Sequence, residues 1–229
     1  MSVNVNTVYQ RVLAITNKEQ RGYITPQEFN YMANQAQLDI FEQYFYDLNQ
    51  FARLPGNSTE YSDMLDILEE KISLFEKVGA TVTGGITLPS DVYRLGSVLY
   101  NGIDAEHITQ KDWLYIKKSP LSQPSNDFPV YLRDSETNAI KVYADSITAN
   151  ETADVTCNYI KTPADAEWAY DNTTGLYDSG NSTNFELHAS EETELVIKIL
   201  AMAGIVLKDP GLYQIGSAEE VKSVQQEKA

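Results

Sequence analysis

The sequence predicts an α+β fold with an N-terminal helical bundle, a small antiparallel β domain and C-terminal helices. Apolar residues recur at the helical period through most of the first 78 residues. At Gly79, β-branched residues and glycine turns replace that pattern, and a nearly all-apolar helical segment follows Ser190. We therefore predict a helical region (1–78), a β-rich region (79–168), an exposed loop with a short strand (169–189) and a C-terminal helix with a docking arm (190–229), in one structural unit overall.

Two helices are predicted before residue 52. A short amphipathic helix runs from Val5 to about Asn17. The next has a well-marked start, because Thr25 is suited to the N-cap, Pro26 to the first helical position and Glu28 to closing a capping box. Its apolar stripe continues to about residue 51, which makes it one long helix.

Three aromatic residues lie beside the stripe of the long helix: Phe41, Phe45 and Tyr46. They indicate either a wide buried face or a second contact surface, and the sequence leaves both open. A third helix is predicted from an apolar series that begins near Tyr61 and includes Phe75.

The β-rich region is predicted from turns and β-branched runs. Asn101-Gly102 tolerates positive φ at both positions, so it predicts a tight hairpin between strands 92–100 and 103–108. Thr109 with Asp112 predicts the N-cap of a short helix. Further strands are expected at 130–132, 140–143 and 155–160, which gives a small, mainly antiparallel sheet.

Residues 169–184 are rich in turn formers and poor in periodic apolar residues, so we expect an exposed loop. Tyr170, Leu176 and Tyr177 are its candidate interface residues. After it, Ser190 is expected to cap a buried helix over 191–207, in which Leu200 lies in the core.

The end of the chain is predicted to be a docking arm. Leu212, Tyr213 and Ile215 form a short apolar cluster, and a polar helix capped by Ser217 is expected from residue 218 to about 226. Such a helix is too short to be stable alone, so it needs a partner. The partner is either another subunit or the chain's own core. The candidate anchors of the arm's helix are Val221 and Val224.

Composition limits the function. The formal net charge is −16, which repels nucleic-acid phosphates and anionic headgroups, so neither sequence-specific nucleic-acid binding nor membrane binding is expected. Cys157 is the only cysteine, which excludes an intrachain disulfide and a cysteine-based zinc site. The N-terminus does not have the pattern of a signal peptide, so we expect synthesis in the cytoplasm.

We expect no enzymatic activity, no cofactor and no metal site. The two histidines, His107 and His188, lie in no nucleophile or metal motif. One enzymatic alternative stays open, in which Asp171 and Asp178, close to two tyrosines, act as the paired carboxylates of a glycan-degrading enzyme.

Three parts of the chain carry a resemblance. They are the N-terminal runs VYQRV (8–12), GYITPQEFN (22–30) and FEQYF (41–45), the middle run LPSDVYRL (88–95), and the C-terminal runs ELVIKILA (194–201), KDP (208–210) and QQEK (225–228). These stretches resemble virion structural proteins of tailed bacteriophages. The layout of helices, small β domain and C-terminal helical arm is similar to that of head-to-tail adaptor, or connector, proteins.

The resemblance implies a structural protein of the virion neck, assembled in the host cytoplasm. Such a subunit would form a homo-oligomeric ring, twelvefold in the adaptor class, that docks to the portal protein and offers a platform to tail or nozzle proteins. DNA would pass through its channel without sequence-specific binding. A tail-hub or minor capsid protein is the alternative within the virion.

Overall fold

The structure is a computed structural model. It describes residues 2–16, 24–51, 64–134, 138–145, 150–171 and 173–206, together with residues 214, 216–218 and 221–222. In this part of the chain the helices are α1 (Val5–Thr16), α2 (Pro26–Phe51), α3 (Met64–Ser73), α4 (Gln110–Ile116) and α5 (Glu192–Val206). The strands are β1 (Glu76–Thr81), β2 (Val92–Tyr100), β3 (Ile103–Asp104), β4 (Glu106–His107), β5 (Val130–Asp134), β6 (Ala139–Tyr143) and β7 (Val155–Lys161).

The predicted α+β class is confirmed. The chain forms two compact units, the first made of residues 1–74 and 163–229 and the second of residues 75–162. The two ends of the chain thus belong to the same unit, and the segment between them folds as a unit of its own. From the sequence we predicted one structural unit, whereas the structure has two. Contacts of α5 with α1 and α2 bring the two ends of the chain together in the first unit.

In the first unit, α2 is the central helix and packs against α3 and α5. The predicted capping box is present: the Thr25 amide donates to Glu28 Oε2 over 2.9 Å, and the Glu28 amide donates to Thr25 Oγ1 over 3.2 Å. The Thr25 amide, together with the Thr25 hydroxyl that donates to the same carboxylate oxygen over 2.8 Å, lowers the pKa of the Glu28 carboxyl. Phe41 and Phe45 are buried, whereas Tyr46 is 65% exposed. The buried face of α2 therefore includes the two phenylalanines but not Tyr46.

A buried ion pair joins α3 to the turn that precedes α5. Lys71 Nζ lies 2.7 Å from Glu191 Oε1, and both side chains are largely shielded from solvent. The same ammonium lies over the Tyr44 ring of α2, 5.4 Å from its centroid. Ser190 Oγ also donates to Glu191. Three parts of the first unit therefore meet at one charged pair.

Two predictions about helix limits were wrong. Phe75 lies beyond the end of α3 and is fully buried in the second unit, because the chain turns at Leu74 and begins β1. Ser190 does not cap α5: a 3-10 turn over Ala189–Glu191 precedes the helix, and the His188 side chain caps that turn by accepting from the Ser190 amide. Tyr61, where the third helix was expected to begin, lies outside the described residues.

The second unit contains two sheets with a shared core. One has the order β1-β7-β2-β3 with antiparallel pairs throughout; in the other, β5 lies between β4, which is parallel to it, and β6, which is antiparallel. Cys157 is fully buried in this core, and burial raises the pKa of its thiol, which disfavours the reactive thiolate. The expected single sheet is thus replaced by two.

The predicted hairpin is present, since Asn101 and Gly102 have φ of 50° and 79° between β2 and β3. The second predicted strand, however, divides at Ala105. Its buried side chain and its 2.8 Å hydrogen bond to the Val98 carbonyl direct the chain from one sheet to the other. The Thr109 cap of α4 was predicted correctly, because its hydroxyl accepts from the Asp112 amide.

Strand β1 begins at Glu76, before the predicted change at Gly79. It is an edge strand whose side chains are mostly exposed, so it has no alternating apolar pattern to signal it. Gly79 itself has φ of 69° and lies in an irregularity of the β1–β7 pairing, with its amide donating to Asn158 Oδ1 over 2.8 Å.

Candidate functional site: the aromatic groove

The candidate site of the first unit is built on three amide side chains of α2. Asn30, Asn34 and Gln37 lie one helical turn apart and hydrogen-bond to the backbone of the extended segment 164–168. Asn30 both donates to the Trp168 carbonyl and accepts from the Trp168 amide, over 3.3 and 2.9 Å. Helix α2 therefore holds this segment much as a neighbouring strand would.

Trp168 is the centre of the site and is 6% exposed. Its ring lies against Tyr9 of α1 with centroids 4.1 Å apart, and its indole nitrogen donates to Asn6 Oδ1 over 3.1 Å. Tyr170 and Tyr177 stack near it, with centroids 6.1 and 5.8 Å from the indole. The buried polar N–H is satisfied, so Trp168 forms a fixed base for Tyr170 and Tyr177.

The described residues of the loop predicted at 169–184 form a hairpin, which we call the aromatic hairpin (residues 167–183 without Asn172). Glu167 pairs with Thr183, and Tyr170 pairs with Tyr177, in antiparallel bridges. Ser182 Oγ accepts from the Ala169 amide over 3.0 Å. The predicted exposure is present at the tip, yet backbone pairing gives the hairpin a defined shape.

Beside the hairpin lies the aromatic groove, an open cleft of about 760 Å³. It is bordered by residues of α1, the start of α2 and the aromatic hairpin: Asn6, Tyr9, Gln10, Leu13, Thr25, Pro26, Gln27, Trp168, Tyr170, Gly175, Leu176 and Tyr177. Tyr170 is 47% and Leu176 69% exposed, whereas Tyr177 is half-buried. The apolar side chains of Tyr170 and Leu176 are thus exposed to solvent. Beside them lie the amide side chains of Asn6, Gln10 and Gln27, which are able to hydrogen-bond.

The structure brings Tyr170, Leu176 and Tyr177 together in this groove. The remaining interface candidates are not part of it: Val221 is 56% exposed elsewhere, and the positions outside the described residues are Leu212, Tyr213, Ile215 and Val224. Their role in binding stays a prediction.

The described part of the C-terminal segment folds back on its own unit. Gly216 is buried, and a β-carbon placed on it would be 2.9 Å from the Cα and Cβ atoms of Ala201 in α5. Of the two alternatives left open for the arm, this contact favours packing on the chain's own core. Gln214 is already helical, so Ser217 does not begin this helix, and its hydroxyl instead donates to the Gln214 carbonyl.

Asp171 and Asp178 build turns within the hairpin. Asp171 accepts from the Thr173 amide over 2.7 Å and from the Thr174 hydroxyl over 3.1 Å. Asp178 accepts from the Asn181 side chain and from the Gly180 amide. The first set of hydrogen bonds lowers the pKa of Asp171, and the second lowers the pKa of Asp178.

These lowered pKa values do not suit glycoside hydrolysis. That reaction needs one carboxyl group that stays protonated near neutral pH, which requires a raised pKa. Asp171 is exposed and Asp178 is half-buried, and the hydrogen bonds that each accepts favour its ionised form. Neither carboxyl group has the raised pKa that favours a general acid.

The histidines have local contacts. His107 is exposed on β4 with its ring 5.1 Å from that of Tyr131, and His188 caps the 3-10 turn. Among the described residues, no cluster of three or more His, Cys, Asp or Glu side chains is arranged to hold a metal ion. In the same residues, no helix combines the length and apolar character needed to cross a bilayer.

The amides of α2 were missed in the sequence, although a signal was present. Asn30, Asn34 and Gln37 recur at helical spacing next to the apolar stripe, and Gln37 is 2% exposed. A polar side chain on a buried face indicates a hydrogen-bond partner from elsewhere in the chain.

No protein-family model matches the chain, and the comparison with curated proteins gave no match either.

Proposed function

We propose that this protein is a non-enzymatic structural subunit of a tailed-bacteriophage virion, which forms an oligomeric ring in the head-to-tail neck. The observation that carries the proposal is the aromatic groove: Tyr170 and Tyr177 stack on buried Trp168, and exposed Leu176 borders the same cleft. A contact surface that is ordered before binding loses little conformational entropy when a partner docks. Such a surface suits assembly.

The chemistry of the hairpin supports binding over catalysis. Its two aspartates are occupied in turn formation, and their ionised state is favoured. Their role in this proposal is to fix the loop and to give its rim a negative charge. The hydrogen bonds that would have to be broken for proton transfer instead maintain the shape of the contact surface.

The net charge supports a channel that DNA passes without adhering. With a charge of −16 per chain, a ring of copies repels the DNA backbone and gains nothing from counterion release. In the proposed ring, which is twelvefold if it matches the symmetry of portal-docked adaptors, the portal protein binds one face and tail or nozzle proteins the other. Tail-hub and minor capsid positions are the competing assignments within the virion.

Electron-microscopic class averages of the purified protein at rising concentration test this proposal. We expect closed rings with rotational symmetry around a central channel. Leu176→Asp should abolish them, because it places a charge in a contact that buries an apolar side chain.

The matched control is Val78→Asp, since Val78 is 80% exposed on β1 of the other unit and lies outside the groove. This variant should still form rings. Particles without rotational symmetry at every concentration would contradict the ring, and equal loss of assembly in both variants would contradict the role of the groove.

A further inference from the structure

A second exposed apolar surface lies in the other compact unit, on α4 and the loop that follows. We call residues 110–128 the lysine segment. Helix α4 buries Trp113, which stacks on Tyr143 with centroids 4.2 Å apart. Four other apolar side chains of the segment are exposed, by 55, 66, 100 and 78%: Leu114, Tyr115, Leu121 and Phe128. This is a high density of exposed apolar groups for a surface without a partner.

The shape of the lysine segment is fixed. The Lys117 and Lys118 amides donate to the Trp113 and Tyr115 carbonyls, which closes the end of α4. The loop continues in hydrogen-bonded turns, in which the Phe128 amide donates to the Ser125 carbonyl over 3.0 Å. The exposed side chains therefore project from an ordered backbone.

The charge of this segment is opposite to that of the chain. Lys111, Lys117 and Lys118 are exposed, with Asp112 and Asp127 as the acids of the segment, so the segment has a small positive charge in a protein of net charge −16. In the described part of the chain, none of the three lysines forms an ion pair. Two copies of so acidic a chain repel each other overall, and a contact that places lysines of one copy against acidic side chains of the next reduces that repulsion.

The aromatic hairpin has the complementary character. Residues 163–186 contain no lysine or arginine, and their acids are Asp165, Glu167, Asp171, Asp178 and Glu186. Exposed Tyr170 and Leu176 lie among them. The hairpin is thus apolar with an acidic rim, and the lysine segment is apolar with a basic one.

We propose that the lysine segment of one copy binds the aromatic hairpin of the next copy, in a head-to-tail contact. The inference rests on the proposed ring function and names the two surfaces that close the ring. Because they are different surfaces, each copy uses both, and repeated contacts generate a ring or filament instead of a two-fold dimer. The apolar side chains supply the contact, and the opposite charges select its register.

Charge reversal of each surface tests the contact. The first variant is Lys111→Glu/Lys117→Glu/Lys118→Glu. The second is Asp165→Lys/Glu167→Lys/Ser179→Lys/Thr183→Lys, which changes the charge of residues 163–186 from −5 to +1 at four exposed positions and leaves the turn-forming aspartates in place. Sedimentation at rising protein concentration should show each variant alone associating at least about 100-fold more weakly than the unchanged chain, because like charges then face each other.

An equimolar mixture of the two variants should associate again, since every contact between unlike copies then pairs opposite charges. Lys77→Glu/Arg94→Glu is the matched control: it reverses exposed charges of β1 and β2 in the same unit and should associate like the unchanged chain. A symmetric contact between identical surfaces would not give this pattern.

The contact is overturned if the unchanged chain stays monomeric at millimolar concentration, if the control weakens association equally, or if the mixture fails to recover. Rings that form normally in both charge-reversed variants overturn the contact and leave the proposed function standing. Association that follows the predicted pattern but yields only open filaments overturns the ring and leaves the contact standing.

Discussion

Gly216 lies so close to Ala201 of α5 that a β-carbon on the glycine would be 2.9 Å from both the Cα and Cβ atoms of the alanine. Contacts this short leave no room for a side chain. Residue 216 therefore requires glycine because of its neighbour, and at this position the C-terminal segment packs on α5 of the first unit.

Gly216→Ala should destabilise the protein by about 1–3 kcal/mol, because the added methyl group overpacks a backbone contact. Thermal or denaturant unfolding measures the loss. Ala218→Leu is the control, since residue 218 is exposed on the same helical segment and should tolerate the change. Unchanged stability of the glycine variant would show that the segment does not pack on α5.

Lys71→Met should cost about 3 kcal/mol, because it leaves the buried Glu191 carboxylate without its cation. The double change Lys71→Met/Glu191→Leu should recover much of that loss. The control is Arg11→Met: Arg11 pairs with Glu192 at the same 2.7 Å, but its side chain is 54% exposed, so we expect less than about 1 kcal/mol. Equal losses in the two single variants would contradict the distinction between buried and exposed pairs.

Leu200→Asp should prevent folding of the first unit, since Leu200 is 8% exposed in α5 and an unpaired buried carboxylate costs several kcal/mol, roughly the whole stability of a domain. Leu114→Asp makes the same change at a side chain that is 55% exposed and should fold normally. Circular dichroism and size-exclusion chromatography compare them. A compact, cooperatively melting Leu200 variant would contradict the packing of α5.

Alkaline titration should separate Tyr159 from exposed tyrosines. Burial, together with the 2.9 Å hydrogen bond that its hydroxyl donates to Asp91, raises the pKa of Tyr159 to about 12. Between the unfolded pKa near 10 and this value, the unfolded chain has lost the proton that the folded chain keeps, so stability falls as pH rises.

The difference in absorbance titration between the unchanged protein and Tyr159→Phe measures this pKa. Asp91→Asn should lower it, because the variant removes the carboxylate charge that disfavours the phenolate. A pKa near 10 for Tyr159 in the unchanged protein would contradict the buried hydrogen bond.

The sequence by itself determined the features that depend on neighbouring residues. The capping box of Thr25 and Glu28, the hairpin at Asn101-Gly102 and the Thr109 cap of α4 each need only a few consecutive side chains, and all three are present. The fold class follows from the same local patterns and is confirmed.

Only the tertiary structure decided the features that join distant residues. Nothing near Ala105 in the sequence indicates that the chain changes sheets there, because the reason is a hydrogen bond to Val98 and burial between the two sheets. The aromatic groove likewise depends on Asn30, which binds Trp168 across 138 positions of the chain. The tyrosines of the hairpin were found from their local composition, but their rigid base was not. Hydrogen bonds and packing over such separations depend on the folded path of the whole chain, and a local residue pattern does not encode that path.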